Sequence, residues 1–276
     1  MKMTKFTIFD IHQHIGSFDI SGRETGGGAW NSEEDYAKRV QLLDKFGIRA
    51  AAVMPSSKYL RPNGIPDTCA MNDLVADYRN RYRDRFPIAM GTVEPLYGEE
   101  ACVKEIRRIA EKLHLNGVVW HHRYQGTFIN DKSMHAFLRT MTEYQLPAFI
   151  HIFAESTMEA PWGLEALAEQ HPQVTFIALD AFSGSTQSKY MIGIAKRCPN
   201  VLLETGVTFP LGRIIEEVVA DIGSERVLFG TDLYLAPQMY LYPDVLYQIL
   251  EAPTLREQDK QNILWNNTKR LFRLEA

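Results

Sequence analysis

Eight short apolar runs, rich in β-branched and aromatic residues, recur along the chain, and each is followed by a stretch with helical spacing. They read FTIFDIH (6–12), RAAAVMP (49–55), IAMGTVE (88–94), GVVWHH (117–122), AFIHIF (148–153), TFIALDA (175–181), VLLETG (201–206) and RVLFGTD (226–232). Each is almost continuously apolar, the pattern of a strand covered on both faces. Among the intervening stretches, EEDYAKRVQLLDKFG (33–47) places Tyr36, Val40, Leu43 and Phe46 on one stripe and ends in Gly47 as a C-terminal cap. EEACVKEIRRIAEKLH (99–114) turns Val103, Ile106, Ile109 and Leu113 inward, and SMHAFLRTMTEYQLP (133–147) opens on Ser133 as an N-cap and stops before Pro147. Repeated strand-then-helix units demand parallel strands with right-handed crossovers, and eight of them predict an α/β fold of the (β/α)8 TIM-barrel type. An open doubly wound sheet is the alternative, weakened because no GxGxxG turn follows the first run.

No Ser/Gly-rich linker divides the 276 residues, so a single domain over 1–276 is expected. The glycine-dense GRETGGGAW (22–30) reads as a loop over the barrel mouth. With a net charge of −4 and no lysine or arginine block, a nucleic-acid footprint is not expected. RNRYRDR (79–85), which carries Asp84, reads as a solvated helix end. Cys69, Cys102 and Cys198 are too few and too scattered for a disulfide framework, which suits a reduced cytoplasm. No apolar run approaches the roughly 20 residues of a membrane span, and the N-terminal one is too short for a signal peptide. A cytoplasmic protein with a small-molecule substrate, no nucleic-acid or membrane partner, and a homodimer as default assembly is the expectation.

In a barrel of this kind chemistry sits at the C-terminal rim of the strands. The predicted strand ends carry His12 and His14, then Glu94, then His121, His122 and Arg123, then His151, Asp180, Glu204 and Asp232. His114, His135 and His171 fall instead in helices or at their ends. In FDIHQH, the strict alternation of Asp10, His12 and His14 predicts that all three share one face. Imidazole nitrogen and carboxylate oxygen suit zinc, manganese or iron. His12, His14, His151 and Asp232 are the candidate ligands of one divalent ion, with a coordination position left open, and Asp232 doubles as general base. An isolated HxH is as readily explained by hydrogen-bonded barrel histidines; the further polar strand ends favour a site.

Neighbouring strand residues alternate sides, so His121 rather than His122 is expected to face the pocket. Arg123, and Arg61 in the loop SSKYLRPNGIPD (56–67), are candidates for gripping a substrate carboxylate, or for pairing with Glu94 or Glu155. Glu204 is a candidate orienter of a histidine, or a partner in a rim salt bridge. Trp30, Tyr234, Tyr240 and Tyr242 either wall an apolar pocket or pack the late loops. PQMYLYP (237–243) is too apolar for free solvation and is expected to be covered.

DIHQH on the first strand, IH on the fifth and FGTD on the eighth resemble the amidohydrolase superfamily, in particular its amidohydrolase-2 branch related to aminocarboxymuconate-semialdehyde decarboxylase. MNDLVADYRNRYRDRF (71–86), GVVWHHRYQGTFIND (117–131) and QNILWNNTKRLF (261–272) are similar to segments of that branch in the same order. The resemblance implies a metal-dependent barrel enzyme, with His12, His14, His151 and Asp232 on the ion, usually zinc, and His121 lining the pocket. The sequence departs from the branch at the sixth strand, where FIALDAFSG puts Asp180 in place of the usual histidine. Either Asp180 joins the ligands in a His/His/His/Asp/Asp cluster, or the metal is weak or absent. The expected activity is a metal-dependent hydrolase of a small carboxylate-bearing carbonyl compound, attacking a C–N, C–O or C–C bond, with Asp232, Asp180 and His151 as the catalytic groups. Alternatives are a nonoxidative decarboxylase, a metal-free lactonase-like enzyme, and a silent binding barrel.

Overall fold

The computed structural model describes residues 5–16, 30–56, 63–209, 213–236 and 238–274. All eight apolar runs are strands. β1 (Phe9–Ile15), β2 (Ala50–Pro55) and β3 (Ile88–Ala89) form one parallel ladder. β4 (Gly91–Thr92), β5 (Val118–Trp120), β6 (Ala148–His151), β7 (Phe176–Leu179), β8 (Val201–Glu204) and β9 (Val227–Leu228) form the next. The chain passes from one ladder to the other at Met90, so β3 and β4 fill a single strand position of the barrel. After β9 it returns to the start: Ile11 N–H donates to the Phe229 carbonyl at 3.0 Å and His14 N–H to that of Leu233 at 2.9 Å. The circuit of eight parallel positions is that of a (β/α)8 barrel.

The outer ring comprises α1 (Ser32–Phe46), α2 (Ile65–Arg81), α3 (Glu99–Glu111), a short α4 (His122–Gln125), α5 (Met134–Glu143), α6 (Pro161–Gln170), α7 (Ser185–Arg197) and α8 (Ile214–Ile222). α9 (Asp244–Glu251), α10 (Glu257–Gln261), a π-helical turn (Asn262–Asn266) and α11 (Asn267–Phe272) follow. Trp265 and Phe272 from this last segment pack against the interior cluster of Phe9, Phe149 and Ile177. Gly47 caps α1 as expected, at φ 69°. The Ser133 hydroxyl does not cap α5, because it donates to Asp131 instead, at 2.6 Å.

Two layers of core follow from strand parity. Phe9, Ile11, Ala50, Ala52, Met54, Val119, Phe149, Ile177 and Leu179 fill the interior, while Ala51, Val53, Trp120, Ile150 and Ala178 face the helices. This parity corrects the expectation for the first strand. Asp10 pairs with Ala51 and Gln13 with Val53, so three steps along β1 match two along β2. The extra residue is a β-bulge in which Ile11 and His12 together oppose Ala52. Asp10 and Gln13 therefore lie on the helix side, and His12 and His14 on the interior side. Asp10 accepts bonds there from Gln13 Nε2 at 2.7 Å and from the Thr231 hydroxyl at 2.6 Å.

Two other expectations change. In α1, Asp35 and Arg39 are buried beside Leu43 and Phe46, joined at 2.6 Å, whereas Tyr36 and Val40 are half-buried. Within RNRYRDR, Arg79 is buried rather than solvated, donating to the carbonyls of Leu113 and His114 at 2.7 Å each. A guanidinium fork matches two adjacent carbonyls left over at the end of α3. No helix among the described residues is long and apolar enough to cross a membrane, and all three cysteines are free.

Candidate metal centre and reaction cavity

The interior apolar positions point to the site, since three strands deliver a polar residue two places beyond an inward apolar one. Val119 is followed by His121, Phe149 by His151 and Leu202 by Glu204. On β1 the bulge restores the same phase for His12 and His14 after Ile11. Asp232, from the segment beyond β9, is held at φ 58°.

These elements bring His12, His14, His151 and Asp232 together, with one ligand atom from each inside a cluster no wider than 4.8 Å. His12 Nε2 stands 2.9 Å from His14 Nε2, and both stand 3.1 Å from Asp232 Oδ1. All four side chains are buried. Each imidazole is fixed from behind. His14 Nδ1 donates to the Pro55 carbonyl at 2.7 Å, His151 Nδ1 to the Trp120 carbonyl at 2.9 Å, and His12 Nδ1 to Glu204 Oε2 at 3.1 Å. Carbonyl and carboxylate oxygens only accept, so the protons sit on Nδ1 and the three Nε2 lone pairs face one another and a carboxylate oxygen. His151 Nε2 and Asp232 Oδ1 are buried without a hydrogen-bond partner. Four electron donors around one point repel unless a cation lies between them. Zinc–nitrogen bonds of about 2.0–2.1 Å put tetrahedral ligand atoms roughly 3.3 Å apart, close to the 2.9–3.1 Å among His12, His14 and Asp232. The donor set fits a divalent ion.

Electrostatics agree. Burial lowers the pKa of both His14 and His151, keeping them neutral. For His12 burial works in the same direction, but the carboxylates of Glu204 and Asp232 outweigh it and raise its pKa, so a cation, whether proton or metal, is favoured at its Nε2. Against the opposing effect of burial, His12 and His14 hold the Asp232 carboxyl below the usual carboxylate range.

Glu204 performs the orienting role foreseen as one of its options. Fully buried, it takes the His12 Nδ1 proton on Oε2, together with Asp180 N–H at 3.0 Å, and Gly206 N–H at 2.6 Å on Oε1. Two glycines make room for it. A Cβ at Gly230 would lie 2.0 Å from Glu204 Oε1, and one at Gly206 would lie 2.9 Å from both Glu204 Oε2 and His12 Nδ1.

Asp180 does not join the four ligand atoms. It sits behind His12, with Oδ1 3.9 Å from Nδ1, at φ 59°. In place of a five-ligand cluster, the four compact ligand atoms come from His12, His14, His151 and Asp232, while Asp180 stands beside them, near His12 Nδ1 and lining the reaction cavity. Burial and then the charge of Asp232 raise its pKa well above the ordinary value.

His121 faces the site, its ring stacked on His151 at 4.1 Å, and burial lowers its pKa. His122 points the other way beside Trp120, and burial takes it down to about 3. Arg123 pairs with Glu159, not with Glu94 or Glu155: its Nε stands 3.3 Å from Glu159 Oε2, and its ring contacts are Tyr124 and Phe153. Glu159 also accepts His121 Nδ1 at 2.5 Å, and burial raises it to about 7. It escaped the sequence reading because it lies in a loop turn before α6, far from any strand end. Arg61 and residues 22–29 of the glycine-dense loop lie outside the described residues. Trp30 bonds to Asp35 and packs on Tyr78, away from the cavity. Tyr234 stacks on His14 at 4.2 Å. Within PQMYLYP, β11 (Gln238–Met239) pairs antiparallel with β10 (Tyr234–Leu235), which precedes it. Tyr240 and Tyr242 after it are exposed rather than covered. A cavity of about 330 Å³, lined by His121, Arg123, Asp180, Asp232 and Tyr240 among others, opens above the cluster.

A parallel (β/α)8 barrel with imidazoles and a carboxylate converging at its strand ends defines a protein with a candidate divalent-metal centre. The family model for amidohydrolases of the amidohydrolase-2 type matches residues 9–274, and the chain belongs to that family. No curated protein matches it significantly. Solved structures share the fold at low identity. A 5-carboxyvanillate decarboxylase from Novosphingobium aromaticivorans, complexed with manganese and a nitrobenzoic acid, aligns at TM-score 0.72 and 18% identity, covering 98% of this chain and 97% of that one. A 2,6-dihydroxybenzoate decarboxylase complexed with its substrate aligns at 0.71 and 17%, covering 99% and 100%. The 4-oxalomesaconate hydratase of Rhodopseudomonas palustris aligns at 0.69 and 15%, covering 97% and 96%.

Proposed function

We propose that the protein is a metal-dependent hydrolase acting on a small carbonyl compound that bears a carboxylate. The observation that carries this reading is the convergence of three Nε2 lone pairs and Asp232 Oδ1, each imidazole fixed by an acceptor behind it. His12, His14, His151 and Asp232 would hold one ion, zinc as first choice for so nitrogen-rich a set; manganese, present in the Novosphingobium decarboxylase, is the alternative. Such an ion supplies Lewis acidity toward a substrate oxygen. The chain supplies the rest. Asp232, ionised and lining the cavity, accepts a proton from attacking water. Asp180, which keeps its proton through burial, donates to the departing group. Arg123, fixed by Glu159 and two aromatic faces, offers its remaining N–H groups to the substrate carboxylate.

A second reading, nonoxidative decarboxylation, is favoured by the same protonated Asp180, an acid placed to protonate a carbon, and by the activity of two fold relatives. Elemental analysis of protein purified without chelator, followed by turnover assays on carboxylated carbonyl compounds, tests the proposal. Bound metal in about one equivalent and label uptake from ¹⁸O-water are expected; CO2 release selects the second reading. A folded metal-free protein that turns over overturns both, as does His151→Asn with undiminished turnover. Ligand binding without any turnover leaves the silent barrel.

A further inference from the structure

Two cavities stand back to back at the barrel mouth. Beside the polar reaction cavity lies another of about 340 Å³, walled by Thr208, Tyr242, Pro243 and Val245 and holding no member of the candidate metal cluster. Its acidic lining residue, Asp244, already accepts a bond from Gln248 on α9. Val207, Phe209 and Tyr240 line both cavities, so they form the partition. Two of these three hold the left-handed backbone region, Val207 at φ 50° and Tyr240 at φ 54°. A β-branched or bulky aromatic residue rarely adopts it, and such strain persists where the surroundings impose it, commonly at ligand clamps. Phe209, Tyr240 and Tyr242 are 54%, 44% and 59% exposed, an aromatic cluster at a cavity mouth. Burial and the carboxylates of Asp232 and Asp180 raise the Tyr240 pKa, so its hydroxyl remains a neutral donor at the boundary.

We infer that the second cavity is a substrate subsite for an apolar ring or short alkyl chain, which makes the substrate a two-part acid. Its carboxylate and reacting carbonyl occupy the polar cavity, and its tail passes Val207, Phe209 and Tyr240 to lie between Tyr242 and Val245. The inference rests on the reading of the polar cavity as the carboxylate-binding reaction site. Among the described residues the second cavity has no cationic lining residue and presents aromatic and aliphatic faces, so it selects an uncharged apolar group.

Calorimetric titration of the zinc-loaded full chain with benzoate and with 4-benzylbenzoate, which differ by one apolar ring, tests it. The larger acid should bind at least about tenfold more tightly, the gain expected from burying one aromatic ring. Thr208→Trp, which fills the second cavity, should cancel that gain and leave benzoate binding unchanged. Tyr242→Ala, at an exposed wall position, should cut the gain to about threefold or less. Equal affinities for the two acids, with benzoate bound, overturn the subsite and leave the reaction-site reading standing. A gain that survives both substitutions also overturns it. Failure of benzoate itself to bind overturns the reading of the polar cavity, and the subsite with it.

Discussion

Replacing Glu204 by glutamine changes one atom type in a fully buried carboxylate that accepts three N–H groups. If the amide nitrogen takes the Oε1 position, it faces the Gly206 N–H, donor against donor. If it takes the Oε2 position, it faces both the Asp180 N–H and His12 Nδ1–H. The first orientation leaves one buried donor unpaired, which costs about 1–3 kcal/mol, and weakens the acceptor that holds His12. The second is relieved only if the His12 proton moves to Nε2, where it blocks the lone pair that a metal needs. Either way affinity for the ion should fall by roughly 10–100-fold, the usual effect of removing a partner behind a metal-binding histidine. Competition of the variant against a chromophoric chelator, with circular dichroism to confirm the fold, measures the loss. An affinity within about threefold of the parent, in a folded variant, would refute the argument that Glu204 fixes the His12 tautomer.

Gly230→Ala should be at least as damaging to metal binding, since the added methyl lies where Glu204 now sits; unchanged binding and stability would contradict the tight clearance. Adding the divalent ion at about 100 times its dissociation constant should stabilise the fold by ~2.7 kcal/mol and raise Tm by roughly 5–10 °C, reversed by chelator; a Tm indifferent to metal speaks against the centre. Glu159, raised from 4.5 to about 7 by burial, makes the folded state favour the protonated form. Its contribution to stability is complete below about pH 4.5 and is lost as pH rises through about 7, on the order of 3 kcal/mol in all. Glu159→Gln should remove that decline, so urea denaturation at about pH 5 and pH 7 should show a flatter profile; parallel profiles for parent and variant would refute the assignment.

Much of this was legible in the sequence. The eight apolar runs read as strands because a strand buried on both faces leaves no alternation to misread, and their polar ends read as a rim. His12, His14, His151 and Asp232 do converge. The phase of the first strand was not legible: Ile11 and His12 both turn inward, and an extra residue in an apolar run leaves no trace in its composition. Asp180 could be placed at its strand end, but its place beside the four ligand atoms rather than among them, on a backbone at φ 59°, is a property that residue type does not disclose. Glu159 was missed because its partnership with His121 spans 38 residues and begins in an irregular turn. The clearance at Gly206 and Gly230 becomes meaningful only once Glu204 is known to lie against both.

The added residue at Ile11 and His12 has a consequence for how this chain tolerates change. Upstream of it, odd positions of the first strand fill the barrel; downstream, even ones do. Straightening the strand at this point with every residue retained would keep Phe9 and Ile11 inside yet rotate both imidazoles out toward the helices, giving a barrel with an inert mouth, whereas deleting one of the two bulged residues would leave the phase of His14 unchanged. Scaffold and chemistry thus meet at a single bulge, whose conformation keeps them in step.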